Sequence, residues 1–301
     1  MKRLLIGLTA IVFVVAALLP AVVPPAIERI VRSKIADFGL KAYVKANLDW
    51  SWRNGPGLAG TIRIALADSP WCVRATFGAS CCEWEASVKM DETEFSETDP
   101  TVARLLKQLP LPAVSNLTFS GSIGLSAHAE RTFRKPVAVW SVRVPVRNLT
   151  AGATIGEKAY GLSGLSVTPA ASGIADHLDI APAFLRIGAI DIAGFAFTNF
   201  TASIRASEKS LLVTEASAAV CGGKISFYSV FLDPKTLNAG FTLFVDDVDA
   251  GETLRHFNGF RGEASGKLHG KIKLFVKEGG KALRLGDAFL YSTPGEIGKI
   301  R

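Results

Sequence analysis

The spacing of apolar residues along the chain changes twice. Leu4 through Ile27 carries no charged side chain and follows Lys2 and Arg3. A helix of that length, rising 1.5 Å per residue, spans a hydrocarbon core of about 30 Å. From Pro25 to Leu48, Ile27, Ile30, Val31, Ile35, Phe38 and Ala42 recur at mostly three- and four-residue steps. That periodicity predicts an amphipathic helix, with Arg29, Arg32, Lys34 and Lys41 largely off the stripe. After Leu48 the period falls to two, which predicts strands.

Asp49-Trp50-Ser51-Trp52 leads into the turn cluster Asn54-Gly55-Pro56-Gly57, and Thr61–Leu66 and Trp84–Met90 read as strands. The acidic stretch Asp91 to Asp99 predicts a solvated loop, and Thr101 to Gln108 a short helix before Pro110. Long strands follow at Leu117–Ala127 and Val137–Val146. Short strands fill 178 to 205, and others cover Leu211–Ala216, Lys224–Phe231 and Phe241–Val245. A short helix is expected from Asp249 to Phe257. Gly266 to Lys277 has the clearest alternation. Leu268, Gly270, Ile272, Leu274 and Val276 point one way, and Lys267, His269, Lys271, Lys273 and Lys277 the other. A one-residue slip would bury the lysines, so the register is well specified.

The uncharged run has two readings. A cleaved signal peptide has an apolar core of about 7–15 residues and a small-residue cleavage site. This run is longer, and Leu18-Leu19-Pro20-Ala21 is a poor site. An uncleaved signal anchor is therefore expected, N-terminus in the cytoplasm by the positive-inside rule, although charges after the span are mixed. Pro20, Pro24 and Pro25 predict that this helix ends or kinks near the far surface. The amphipathic segment behind it either packs on the first sheet or lies on the membrane.

The chain of 301 residues is 49% hydrophobic and 20% charged, a balance that excludes general disorder. Its net charge of +7 suits anionic head groups. No nucleic-acid motif is present. The cysteines are Cys72, Cys81, Cys82 and Cys221. Export would permit a disulfide from Cys72 to Cys81 or Cys82 if a hairpin brought them together. Their spacing does not match a zinc site. Asn116-Leu117-Thr118, Asn148-Leu149-Thr150 and Asn199-Phe200-Thr201 are glycosylation sequons in form; each also reads as an ordinary strand start.

Catalytic constellations are scarce. His128, His177, His256 and His269 are far apart, and Gly161-Leu162-Ser163-Gly164 is an incomplete nucleophile elbow. Gly222-Gly223-Lys224 reads as a turn entering a strand. Asp246-Asp247-Val248-Asp249 lacks calcium-loop spacing, and Asp249 reads as a helix cap. We therefore expect no catalytic residues, no metal and no cofactor.

Four ordered segments carry a family resemblance. They are Val220-Cys221-Gly222-Gly223-Lys224-Ile225, Phe241 through Leu254, Phe260 through Ile272 with its glycine–leucine–glycine–isoleucine alternation, and Gly286 through Gly295. Together with the layout of anchor, helix and Trp-containing strand, they resemble the AsmA-like superfamily of membrane-anchored β proteins, most closely its YdbH-like branch. The resemblance implies an elongated, curled antiparallel sheet with an apolar groove, anchored in the inner membrane and projecting into the periplasm. It implies movement of phospholipid between inner and outer membranes, with the inner membrane, phospholipids and an outer-membrane or periplasmic protein as partners. Known members are usually much longer, which leaves open a fragment or a short member that needs a partner.

The expected organisation is an anchor over 1–27, a helix with the first strands over 28–110, and an elongated β domain over 111–301. Groove candidates are Phe241, Leu243, Val245, Leu268, Ile272, Leu274 and Val276, because an apolar strand face with too little chain to cover it suits acyl chains. The alternative is an envelope assembly protein that binds partner β-strands at its sheet edges.

Overall fold

The computed structural model describes residues 23–37, 40–51, 56–67, 69–80, 83–102, 115–132, 135–155, 157–174, 177–192, 194–206, 210–232, 236, 238–256, 264–277 and 282–292. The protein is mainly β, and the strand pairings among the described residues are antiparallel. It divides into two compact units. One comprises 1–111, 123–144 and 172–177, and the other 112–122, 145–171 and 178–301. Most of the expected membrane span lies outside the described residues. Among the described residues no helix is long and apolar enough to cross a membrane.

The first unit begins with helix α1, residues 23–37, which carries Pro24 and Pro25 in its first turn. Proline is tolerated there because those N–H groups have no helical acceptor. The expected helix to Leu48 is corrected. The chain is already a strand, β1 (Ala42–Ser51), in which Val44, Ala46 and Leu48 are buried and Tyr43, Lys45, Asn47 and Asp49 are exposed. Strict alternation from position 42 outweighs the helical spacing that ran into it. A carboxylate oxygen of Glu28 on α1 accepts the Ala46 backbone N–H at 2.8 Å, which ties α1 to β1. Ile30, expected on the apolar stripe, is exposed instead.

Strands β2 (Gly57–Leu66), β3 (Cys72–Ser80) and β4 (Trp84–Ser96) continue a meander from β1. The pairings β1–β2, β2–β3 and β3–β4 run in unbroken register. The loop expected over Asp91 to Asp99 is also corrected, since β4 runs through it to Ser96. Asp99 is buried, accepts from Ser69 Oγ at 2.9 Å and Thr101 N at 2.8 Å, and starts a helical turn at 100–102. The rest of the short helix expected over Thr101–Gln108 lies outside the described residues. Strand β5 (Ser115–Thr132) pairs through its second half with β6 (Lys135–Arg143).

The second unit contains strands that the sequence pattern did not announce, β7 (Val146–Ile155) and β8 (Lys158–Val167). The short strands β9 (Ala170–Ile174) and β10 (His177–Ile180) come next in the chain, with 172–177 belonging to the first unit. Then come β11 (Ala183–Ile192), β12 (Phe195–Ala206), β13 (Leu211–Val220), β14 (Gly223–Leu232) and β15 (Ala239–Asp249). Helix α2 (Ala250–Arg255) follows, and then β16 (Lys267–Lys277) and β17 (Ala282–Ser292). β8 pairs with both β7 and β11, and each strand from β11 to β17 pairs with the next. The Asp249 side chain accepts the Glu252 N–H at 2.8 Å, so the capping role holds. Cys221 and Gly222 both have positive φ between Val220 and Gly223, which are paired. That is the two-residue hairpin turn whose twist matches its strands.

Bulges punctuate this unit. Asn148 and Asn199, at φ 51° and 52°, each add a residue between paired positions of β7–β8 and β12–β13. Asn116 has the same conformation at the second residue of β5. All three sequon asparagines therefore occupy the left-handed region that asparagine tolerates better than most residues. Ser229 and Asp247 do the same where β14–β15 and β15–β16 shift register. Such insertions bend the strand and raise its twist.

Candidate functional site

Side chains directly opposite in an antiparallel pair project to the same side. The register of β12 to β17 therefore builds rows. One row runs Ala202, Ala216, Phe227, Leu243, Ile272, Ala288, and a second runs Ala218, Ile225, Val245, Gly270, Leu290. Phe241, Leu274 and Leu285 form a third. Six strands thus contribute to one apolar face.

The expected groove residues fall on this face. Phe241 is opposite Leu274, Leu243 opposite Ile272, Ala239 opposite Val276, Val245 opposite Gly270, and Val248 opposite Leu268. Phe241, Leu243, Val245, Leu268, Ile272, Leu274 and Val276 are all half-buried. The face also takes in Ala202, Ala216, Ala218, Ile225 and Phe227, which sequence reasoning missed. Their signal was the apolar alternation of β13 and β14, diluted by alanine.

Bulges keep the face continuous. Phe227 and Val230, Val245 and Val248, and Leu285 and Ala288 are each three residues apart, out of phase for a regular strand. In each case the strand gains one residue against its partner there. The extra residue restores the phase, so apolar side chains stay on one side.

Burial on this face is inverted with respect to size. Its buried members are the smaller ones, Ala202, Ala216 and Ala218 at 3%, 1% and 4% exposure together with Val230 and Val248, while Phe227, Phe241, Leu243, Leu268, Ile272 and Leu274 stay half-exposed. Among the described residues no large side chain is completely buried. Large apolar side chains normally hold the most buried positions. Here they flank a floor of small ones. Phe227 and Phe241 pack with ring centroids 5.2 Å apart.

The opposite face mixes polar and cationic side chains with exposed aromatic ones, Tyr228, Phe244, Phe289 and Tyr291. Thr201 and Ser217 share a hydrogen bond at 3.3 Å, and Lys271 and Lys273 are exposed. His269 Nδ1 lies 2.9 Å from Asp246 Oδ1, and its ring stacks on Tyr291. His256 stands edge-on to Phe195, and His128 Nε2 is 3.5 Å from Glu130. Among the described residues no group of three His, Cys, Asp or Glu side chains could hold a metal ion.

The Cys72 disulfide to Cys81 or Cys82 is conditional on a hairpin between them, and over the described part of that segment the chain makes none. Cys72 opens β3, which runs without a turn to Ser80. At about 3.3 Å per residue that strand carries the chain far beyond the roughly 7 Å Cα separation a disulfide allows. Cys72 is a free thiol that accepts from Arg63 Nε at 3.4 Å, and Cys81 and Cys82 lie outside the described residues.

No family model, no curated protein and no solved structure matches the chain.

Proposed function

We propose that this protein is an envelope lipid-transfer module that binds phospholipid acyl chains along an apolar groove formed by β12–β17. In this reading it is anchored in the inner membrane by the N-terminal run, curls into the periplasm, and passes lipid between inner and outer membranes without covalent chemistry or a cofactor. The AsmA-like, YdbH-like resemblance of the sequence points the same way. The observation that carries the reading is the inverted burial, small side chains forming a buried floor between half-exposed large ones. An acyl chain laid on that floor would bury the large side chains, each covered methylene contributing roughly 0.8 kcal/mol.

The test is a mass spectrum of the organic extract of the purified full-length protein. Phospholipid is expected in the extract of the wild type and absent from that of Ile272→Asp, which sets a carboxylate in the longest apolar row. An unchanged circular-dichroism spectrum separates lost binding from misfolding. A wild-type extract without lipid, together with failure to take up added phospholipid, overturns the proposal.

A further inference from the structure

Among the described residues of the second unit, β17 pairs with β16 alone. Every side chain from Arg284 to Ser292 is exposed. The apolar ones point both ways. Leu285 and Leu290, 74% and 43% exposed, continue the apolar face opposite Leu274 and Gly270. Phe289 and Tyr291, 62% and 50% exposed, stand on the other face opposite Lys271 and His269.

One strand behind, β16 exposes Lys271, Lys273 and Lys277. Lys271 lies in register between Phe244 and Phe289, and Lys273 Nζ stands 5.4 Å from the centroid of the Phe275 ring. The nearby acids are Asp246, held by His269, and the exposed Asp247 and Asp287.

A rim that is apolar on both sides and backed by lysines narrows the choice of partner. An acidic protein would match the lysines and leave the rim in water. A single-stranded nucleic acid would stack on one face only. A bilayer interface matches both features. Strands lie about 4.8 Å apart, so the lysine row sits roughly 5 Å behind the rim. Interfacial elements bury about 5–10 Å of apolar surface below the head groups.

We propose that the β16–β17 rim docks on the anionic surface of a lipid bilayer. Phe289, Tyr291, Leu285 and Leu290 enter the interface, and Lys271, Lys273 and Lys277 meet head-group phosphates. The inference rests on the lipid-transfer reading and adds to it a point of contact, since among the described residues the apolar rows run out to this rim.

Hydrogen exchange tests it on the full-length protein reconstituted in phosphatidylcholine vesicles, with and without an added anionic phospholipid. Exchange across 282–292 is expected to slow only in the anionic vesicles. Lys271→Gln with Lys273→Gln is expected to remove that protection, affinity falling roughly fivefold per lysine. Phe289→Ser with Tyr291→Ser is expected to do the same, and Lys158→Gln, on β8, to leave it intact. Equal protection in neutral vesicles overturns the proposal, as does insensitivity to the lysine substitutions. Protection already present in lipid-free detergent also overturns it, because it marks strand pairing with another protein chain. Phospholipid in the organic extract is scored in parallel. Extracted lipid without rim protection sinks this inference alone, and absence of lipid sinks the transfer reading.

Discussion

The strands β1–β4 and β12–β17 are both antiparallel, and they treat register in opposite ways. The first set pairs without a break. In the second, β12–β13, β14–β15, β15–β16 and β16–β17 each shift. The first buries Val44, Ala46 and Leu48 in strict alternation, whereas the second buries alanines and valines while its phenylalanines, and leucines such as Leu243 and Leu274, stay half-exposed. The difference shows that the bulges serve the apolar face. They hold large side chains on one side of a bent sheet where regular alternation would turn them to the other.

Glycines should separate the two sets most sharply. Gly270 has φ +141°, and a Cβ there would run into the Phe289 carbonyl oxygen. Gly270→Ala should therefore destabilise by about 3 kcal/mol, through backbone strain and collision with a main chain that cannot yield. Gly78 of β3 has ordinary φ, and a Cβ there would rest 3.4 Å from Glu85 Cγ. Gly78→Ala should instead stabilise by about 0.5 kcal/mol, by restricting the unfolded chain. Denaturant midpoints moving in the same direction for both variants would break the comparison.

A smaller effect tests the inverted burial. Ala216→Phe, on the floor, should cost about 1–3 kcal/mol through overpacking and displace bound lipid. Phe227→Ala, on its flank, should cost less than the roughly 3–5 kcal/mol of a sealed core phenylalanine. A full core penalty at Phe227, read from the denaturant midpoint, would show that this face is covered by protein.

Regularity also governed what the sequence disclosed. The alternation of β16 was plain, and with β15 it placed Phe241, Leu243, Ile272 and Leu274 on one face because both strands are regular across those positions. β7 and β8 were missed because Asn148 and Gly164 interrupt their alternation with left-handed residues. Ala202, Ala216 and Ala218 were missed because alanine is a weak marker of a strand face. β1 was read as helix because Ala42 extended the spacing of the preceding helix by one further step. The acids of β4 suggested a loop, although an exposed strand face also carries charge.

Bulge residues give a finer contrast. Ser229, at φ 53°, carries a side chain where a β-branched one fits poorly. Ser229→Val should destabilise by about 1–2 kcal/mol despite the high strand propensity of valine. Thr76 of β3 is exposed in unbroken register and bonded to Ser87 Oγ at 2.7 Å. Thr76→Val should change stability by no more than about 0.5 kcal/mol. Similar costs at the two sites, compared by thermal denaturation, would mean that the positive φ of Ser229 exerts no constraint.

The smallest expected effect lies on β4. Lys89 Nζ stands 2.8 Å from Asp91 Oδ1, and both side chains are exposed. The hydrogen bond and charge of Lys89 hold the Asp91 carboxyl below its ordinary range, with a lesser contribution from Arg74. A carboxylate whose pKa is lowered by folding adds stability above its unfolded value, near 3.9, and loses it as pH falls through the folded value. The unfolding midpoints of wild type and Asp91→Asn should therefore differ slightly at neutral pH and converge as the medium is acidified below about pH 4. Added salt should narrow the neutral-pH gap, because exposed pairs are screened. A gap that stays constant from neutral to acidic pH would mean that the pair is formed equally in the unfolded chain. The regular register of β3 and β4 would then owe nothing to the charges along it.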